Sequence, residues 1–260
     1  MSPSDSIVAA IAGAKAQSRP ALVAFLTAGF PRKEDFAGQL AAIAAEAEVV
    51  EIGVPFSDPM ADGMTIQRSS RAALAQGVSV GWILGELGAM AARPKAPLLL
   101  MSYLNPLLAY GLDRLPADAR AAGVSGFIVP DLPLEECDDL KGALLREALE
   151  SQGLALVQMV TPVTPPERLA TLCRAARGFV YAVTMTGTTG KQVDVPADVL
   201  AYMDQVRKVS PVPVCAGFGI RTPAQVARMS GHVDGVVVGS ALVEVLERGE
   251  DPAAFLRSLK

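Results

Sequence analysis

The chain has 260 residues, of which 51% are hydrophobic, and this size suits one large α/β domain with a substantial core. Its formal net charge is −4, and no cluster of Lys and Arg residues marks a nucleic-acid-binding surface. No apolar run reaches the ~18 residues that a membrane span needs, and the N-terminal segment lacks the uninterrupted apolar stretch of a secretory signal. We therefore expect a cytoplasmic protein that binds neither nucleic acid nor membranes.

A helix is predicted at the start of the chain, with Ile7, Val8 and Ile11 on one side. We expect it to cover the end of the fold that lies away from the active site. Eight short apolar runs follow, and they are continuous rather than alternating, which is typical of parallel strands covered on both faces. The runs begin at Leu22, Val49, Leu98, Gly126, Leu154, Phe179, Val212 and Val233.

The segments between these runs have helical periodicity, as at Phe36, Leu40 and Ile43. Eight alternations of strand and helix over residues 1–260 predict a single-domain (β/α)₈ barrel, the TIM-barrel architecture. An open doubly wound sheet is the alternative, and its dinucleotide-binding form is disfavoured because no G-x-G-x-x-G follows the first strand. The second and third strands begin unusually far apart, so the segment after Gly53 is expected to form a long loop that serves the active site.

Two glycine-containing loops near the C-terminus predict a phosphate site. Gly217 and Gly219 follow the seventh strand, and Gly239 and Ser240 follow the eighth and open a helix. Glycine lets backbone N–H groups approach an anion, and a helix N-terminus favours negative charge. Tight turns alone would explain either loop, but both occur where barrels often bind phosphate. A third loop, residues 186–190, is expected to close over the ligand.

Glu51 is the clearest candidate for catalysis, because a carboxylate within an apolar strand is costly unless it is paired or used. Strand alternation puts Val50 and Ile52 on one face. If that face meets the outer helices, Glu51 points into the barrel near its C-terminal mouth, where barrel enzymes place catalytic groups. A structural ion pair inside the barrel is the alternative.

Several other polar residues follow strands, but each has an ordinary structural explanation. Asp58 and Asp62 lie beside proline or glycine in the long loop, where aspartate is common in turns. Asp131 lies in a Pro-Asp-Leu-Pro turn and suits a cap as well as a catalyst. Tyr181, on the sixth strand, suits either a pocket wall or the core.

The inventory of reactive side chains excludes other chemistries. The single histidine, His232, lies in a predicted turn, so a zinc site built on several histidines is impossible. The three cysteines show no metal-ligand spacing and are expected to be reduced thiols. No lysine lies in a predicted strand, where burial would activate it for imine formation. Acid–base catalysis by carboxylates remains.

Together these motifs resemble the tryptophan synthase α subunit family over nearly the whole chain. The most specific motif runs from Glu51 to Gly63 and reads EIGVPFSDPMADG. The supporting motifs are Ser102–Pro106, Pro130–Pro133, Gly187–Gly190, Gly217–Ile220 and Gly239–Ser240. The sequence departs from the usual family pattern at Met64, Thr184 and Thr188, which puts loop stiffness and closure in question.

The resemblance implies cleavage of indole-3-glycerol phosphate to indole and glyceraldehyde 3-phosphate, without metal, cofactor or covalent intermediate. Glu51 would then be the acid–base residue that protonates the indole ring carbon and handles the side-chain hydroxyl proton. Asp62 would hydrogen-bond the indole N–H and stabilise positive charge on the ring. The remaining implied substrate contacts are Phe25, Met101 and Tyr181 around the indole, and Gly190, Gly219, Gly239 and Ser240 around the phosphate.

The resemblance also implies a partner, the β subunit of tryptophan synthase, which carries pyridoxal phosphate. The expected assembly is an α2β2 heterotetramer with allosteric coupling, contacted through Pro55–Asp58 and Asn105–Leu108. Since that partner orders the catalytic loops, the isolated chain should be a poor enzyme. Three alternatives stay open: a sugar-phosphate isomerase, a stand-alone lyase with the same catalytic residues, and a mainly regulatory binding subunit.

Overall fold

The computed structural model describes residues 1–135, 140–184, 195–217 and 219–260. Eight parallel strands form a closed barrel, each hydrogen-bonded to the next in chain order and the last to the first. The predicted (β/α)₈ barrel is confirmed, and each predicted strand starts within two residues of an observed one. The strands are β1 (Ala21–Thr27), β2 (Val49–Gly53), β3 (Leu98–Met101), β4 (Val124–Ile128), β5 (Ala155–Val160), β6 (Val180–Val183), β7 (Val214–Gly217) and β8 (Gly235–Val238).

Helices surround the barrel and also cover its floor. The span between β2 and β3 divides into a loop, residues 54–63, and two helices, which explains its extra length. The helices of the described residues are α1 (Pro3–Ala16), α2 (Phe36–Ala44), α3 (Met64–Ala75), α4 (Val80–Ala89), α5 (Leu104–Tyr110), α6 (Leu115–Ala121), α7 (Leu140–Ser151), α8 (Pro166–Ala175), α9 (Ala197–Val209), α10 (Pro223–Met229), α11 (Ser240–Glu247) and α12 (Pro252–Ser258). None of these helices has the length and apolar character to cross a bilayer.

Helix α1 closes the N-terminal end of the barrel, as its apolar side predicts. A capping box between Ser2 and Asp5 satisfies the first N–H groups of the helix. Ile7 and Ile11 are buried in the same cluster as the interior strand residues. A Cβ built on Gly178, just before β6, would lie 3.1 Å from Ile7 Cδ1, which locates the helix at the strand starts.

Strand alternation separates two hydrophobic layers. Val50 and Ile52 of β2 belong to the large outer layer between strands and helices, whereas Val49 packs inside the barrel. Glu51 shares the inward face with Val49, as the alternation predicts. Its Cα partners are Phe25 of β1 and Leu99 of β3, and Leu99 belongs to the interior cluster. The fold therefore places the Glu51 carboxyl group in an apolar interior.

Candidate active site

The Glu51 carboxyl group is enclosed and has no polar partner. The side chain is 0% exposed, and neither Oε1 nor Oε2 accepts a hydrogen bond within the described part of the chain. The alternative of a structural ion pair therefore finds no cation among those residues. Burial disfavours the charged form and raises the pKa of Glu51 to about 8. At neutral pH this residue is mainly a neutral acid with a proton to give.

Asp62 lies at the end of the 54–63 loop, beside the hydroxyl of Tyr103. Burial raises the pKa of Asp62, while its hydrogen-bond interaction with Tyr103 acts in the opposite direction. The Tyr103 hydroxyl accepts the N–H of Ala61 at 2.9 Å. On the other side, Gln67 Nε2 donates to the Asp62 backbone carbonyl at 2.8 Å. Asp62 is thus held by contacts more specific than those of an ordinary turn residue.

A small recess at the barrel mouth brings together three of the sequence-predicted site residues, Phe25, Asp62 and Met101. Gly53 also lines it. Glu51 lies two residues before Gly53 on the same strand face, which puts it roughly 7 Å deeper along β2. The apolar recess therefore lies between a loop carboxylate at its rim and a buried carboxyl below it.

Tyr181 extends inward from β6 and completes this group. Its ring lies 6.3 Å from that of Phe179, between centroids. Burial raises the pKa of Tyr181 well above its usual value, and the neighbouring charges of Glu51 and Asp62 add to the effect. The phenol therefore stays neutral and is close enough to both carboxyl groups to sense their charge.

Two inward-facing glycines make room for the aromatic rings, and sequence reasoning did not identify this role. A Cβ on Gly53 would lie 2.6 Å from Cε2 of Phe25. A Cβ on Gly217 would lie 2.6 Å from Cε1 of Tyr181 and 2.8 Å from its hydroxyl. The only sequence signal is that both strands end on glycine at an inward position. Any larger residue would push a ring out of place.

Three of the predicted phosphate residues, Gly219, Gly239 and Ser240, follow the adjacent strands β7 and β8. Gly219 has φ +73°, and apart from its chain neighbours no atom of the described residues lies within 4 Å of the position its Cβ would take. Gly239 caps α11, so the first N–H groups of this helix, from Ser240 onward, point away from the helix body. A Cβ on Gly239 would lie 3.8 Å from Phe25 Cβ, so this helix end adjoins the recess. Gly190, Phe218 and the loop of residues 186–190 lie outside the described residues.

The remaining candidates have structural partners. Asp131 Oδ1 accepts the N–H of Leu104 at 2.8 Å and so caps α5. Asp58 is exposed and pairs with the Ser57 hydroxyl at 2.5 Å. His232 Nδ1 lies 3.0 Å from Asp204 Oδ1, on the barrel exterior. Within the described ranges, no group of three or more His, Cys, Asp or Glu residues is arranged to hold a metal ion.

Comparison with known proteins decides the family. The family profile described as Tryptophan synthase alpha chain matches residues 11–259. The chain belongs to the tryptophan synthase alpha chain family. It is 47% identical over 244 residues to the tryptophan synthase alpha chain of Solidesulfovibrio magneticus, covering 94% of this chain and 93% of the relative. It is 44% identical over 264 residues to that of Geobacter sulfurreducens, covering 98% and 97%.

Solved structures of the tryptophan synthase alpha chain family have the same fold. The tryptophan synthase alpha subunit of Legionella pneumophila aligns with a TM-score of 0.87 at 32% identity, covering 100% of this chain and 97% of the other. A chain of Mycobacterium tuberculosis tryptophan synthase gives a TM-score of 0.87 at 35% identity, covering 97% and 96%. The expected family membership is confirmed over nearly the full length.

Membership in the tryptophan synthase alpha chain family identifies the reaction class. The family consists of lyases that cleave indole-3-glycerol phosphate to indole and glyceraldehyde 3-phosphate in tryptophan biosynthesis. It also implies a β-subunit partner, to which pyridoxal phosphate belongs. The expected reaction is thereby confirmed for the family to which this chain belongs.

Proposed function

We propose that this chain, folded as one domain over residues 1–260, cleaves indole-3-glycerol phosphate by carboxylate acid–base catalysis. The observation that supports this best is the buried Glu51 carboxyl, which has no hydrogen-bond partner among the described residues and a pKa raised to about 8. A general acid is most effective when its pKa lies near the working pH. Glu51 meets that condition, and it lies below the recess that Phe25 and Met101 line.

Glu51 gives its proton to the ring carbon that bears the glycerol phosphate chain. That protonation leaves positive charge on the indole nitrogen, and the ionised Asp62 accepts a hydrogen bond from the N–H and stabilises the charge. The Glu51 carboxylate then takes the proton of the adjacent side-chain hydroxyl. The carbon–carbon bond breaks, its electrons return to the ring, and the hydroxyl carbon becomes the aldehyde of glyceraldehyde 3-phosphate. Glu51 ends the cycle protonated.

The substrate is held at two ends. Phe25, Met101 and Tyr181 line the indole site, where apolar and aromatic contacts exclude water from the proton transfers. The phosphate binds the glycine loop and helix N-terminus formed by Gly219, Gly239 and Ser240, with Gly190 contributing from the third loop. This scheme uses no metal ion, no lysine imine and no cofactor in this chain.

The partner is the β subunit of tryptophan synthase, assembled as an α2β2 heterotetramer, and it supplies the pyridoxal phosphate. The exposed side of the 54–63 loop supports this docking site, because Met60 is 85% exposed and the neighbouring Met64 is 69% exposed. Large exposed apolar side chains at one place are typical of interaction surfaces. Because that loop also carries Asp62, docking there couples allosterically to catalysis.

The test is indole release from indole-3-glycerol phosphate, with and without a tryptophan synthase β subunit. We expect weak activity that rises strongly with the partner. Glu51→Gln and Asp62→Asn should lower the rate by roughly 10²-fold or more, because each removes a group that acts in the transition state. Glu150→Gln, at the exposed end of α7, is the matched control and should not change the rate.

The other outcomes separate the alternatives. High activity of the isolated chain would indicate a stand-alone lyase. Activity in neither condition, with phosphate-ligand binding retained, would indicate a regulatory binding subunit. Normal turnover by Glu51→Gln would refute the assignment of the proton donor.

A further inference from the structure

We infer that Tyr103 is a positioning residue for Asp62, whose hydroxyl fixes the end of the 54–63 loop and orients the Asp62 carboxylate toward the recess. This inference rests on the proposed role of Asp62. Tyr103 was not a site candidate in the sequence, where it is only the second residue after the third strand.

Tyr103 contacts the 54–63 loop at two separate points. Its hydroxyl accepts the Ala61 N–H at 2.9 Å, one residue before Asp62. Its ring packs against Phe56, near the start of the loop, with 5.2 Å between ring centroids and a 32° tilt. Tyr103 is only 5% exposed, so the side chain that makes both contacts is itself buried. One side chain thus ties both ends of the loop to the barrel.

The backbone that carries Tyr103 is itself well anchored. The N–H of Ser102 donates to the Ile128 carbonyl at 3.0 Å, which extends the β3–β4 pairing by one residue. The N–H of Leu104 donates to Asp131 Oδ1 at 2.8 Å. Hydrogen bonds on both sides of Tyr103 therefore come from the β4 side of the barrel. A loop residue that forms a hydrogen bond with Tyr103 is therefore fixed relative to the barrel.

The direction of the hydrogen bonds determines what Tyr103 does to Asp62. Because the phenol oxygen accepts from Ala61, its own proton is available for the Asp62 carboxylate beside it. Burial above all raises the pKa of Tyr103 to about 12, so the phenol stays protonated and remains a donor. A donated hydrogen bond favours the ionised form of Asp62, against the effect of burial. Asp62 must be ionised to stabilise positive charge on the substrate.

Among the described residues, two other titratable groups face this pair. Asp131, after β4, carries a negative charge toward Tyr103, and Tyr181, from β6, lies within electrostatic reach of Asp62. Neither supplies a positive charge, and Tyr181 is neutral because its pKa is raised. Within the described residues, Tyr103 is therefore the side chain whose hydrogen bond favours the Asp62 carboxylate.

The first test is Tyr103→Phe, which keeps the ring on Phe56 and removes one oxygen atom. We expect kcat to fall roughly tenfold, since a hydrogen bond to a charged group is lost, with a much smaller change in KM. The acid limb of the rate profile should move to higher pH, because the pKa of Asp62 rises without the donor. Tyr110→Phe is the matched control. It removes a hydroxyl on α5 that donates to Asp118 of α6 at 2.7 Å, and its rate and profile should match those of the wild type.

A second pair of measurements separates this inference from the proposed function. In the Asp62→Asn background, Tyr103→Phe should cause little further loss, since its target is already gone. Carbon-13 NMR titration of the ligand-free protein should show the Asp62 pKa higher in Tyr103→Phe than in the wild type. If Asp62→Asn is impaired but Tyr103→Phe behaves like Tyr110→Phe in rate, profile and titration, the inference is wrong and the proposed function stands. If Asp62→Asn itself has normal activity, the proposed role of Asp62 is wrong. The titration then still tests whether the Tyr103 hydroxyl lowers the Asp62 pKa.

Discussion

Phe25 of β1 and Glu51 of β2 are Cα partners in the parallel register of the barrel. The inward side chain beside the carboxyl is therefore an aromatic ring, and Leu99 occupies the matching place on β3. Such surroundings solvate a carboxylate poorly, so the proton stays on Glu51 at pH values where an exposed glutamate is ionised. The same register places the acid within reach of the recess that Phe25 lines.

The first prediction concerns the pH dependence of turnover. Glu51 must be protonated to begin the reaction, so kcat/KM should be high below its pKa of about 8 and fall tenfold per pH unit well above it. The measurement is indole release between pH 6 and pH 10, with the partner present. A rate that stays constant up to pH 10 would mean that Glu51 is not the acid.

The second prediction concerns stability, because the same pKa shift is linked to folding. The folded-state pKa of about 8 lies above the unfolded value of 4.5, so the folded protein retains a proton that the unfolded chain releases. The wild-type free energy of unfolding should therefore decline as pH rises from 4.5 to about 8. Glu51→Gln lacks this decline and should be more stable at pH 8, by up to about 4 kcal/mol.

Urea unfolding at several pH values checks this stability prediction, with Glu46→Gln as the opposite case. Hydrogen bonding to Arg257 lowers the pKa of Glu46, so its contribution is present at high pH and is lost as pH falls through the folded-state pKa. Glu46→Gln should therefore not stabilise the protein at pH 8. Equal pH slopes for the wild type and Glu51→Gln would contradict the buried-acid assignment.

The third prediction concerns the space that glycine leaves for Phe25. A methyl group on Gly53 would lie 2.6 Å from Cε2 of that ring, so Gly53→Ala should displace the ring into the recess. We expect KM for indole-3-glycerol phosphate to rise roughly tenfold, equivalent to about 1.4 kcal/mol of lost binding. Gly85→Ala, on α4, is the control and should leave KM unchanged, because outside its own helix turn no described residue has an atom within 4 Å of the new methyl group. Unchanged KM in both variants would mean that the ring is not part of the indole site.

The fourth prediction concerns the N-terminus of α11. Ser240→Asp places a negative charge where the helix favours one, so thermal stability should be retained or slightly increased. The same charge repels a phosphate, so affinity for glycerol 3-phosphate measured by calorimetry should fall at least tenfold, and less so at high salt. Ser240→Ala, without the charge, should bind nearly as well as the wild type. Equal affinity in Ser240→Asp would place the phosphate elsewhere.

Much of the barrel was predictable from the sequence because its strands are apolar runs of similar length separated by helical periodicity. Strand alternation alone oriented Glu51, since Val50 and Ile52 needed helices to cover them. The fourth, seventh and eighth strands start two residues from their predicted positions, because apolar residues beside a strand resemble those within it. The assignment of strand ends depends on hydrogen bonds that composition does not report.

The site was less predictable where it depends on contacts between distant segments. Spacing could not separate Asp62 from a turn aspartate, because the distinguishing partner is Tyr103, 41 positions later in the chain. Gly53 and Gly217 carry no chemistry that a motif search would notice, since each matters through the ring that lies over it. Such relations arise only when neighbouring strands of the barrel pair and bring distant parts of the sequence together.

Helix α1 has a consequence for how molecules enter and leave. Ile7 and Ile11 close the floor of the barrel, so a ligand enters and leaves the recess through the barrel mouth. The exposed Met60 lies on the 54–63 loop, beside this mouth. A protein bound over the mouth would therefore control both the entry of the substrate and the release of the product.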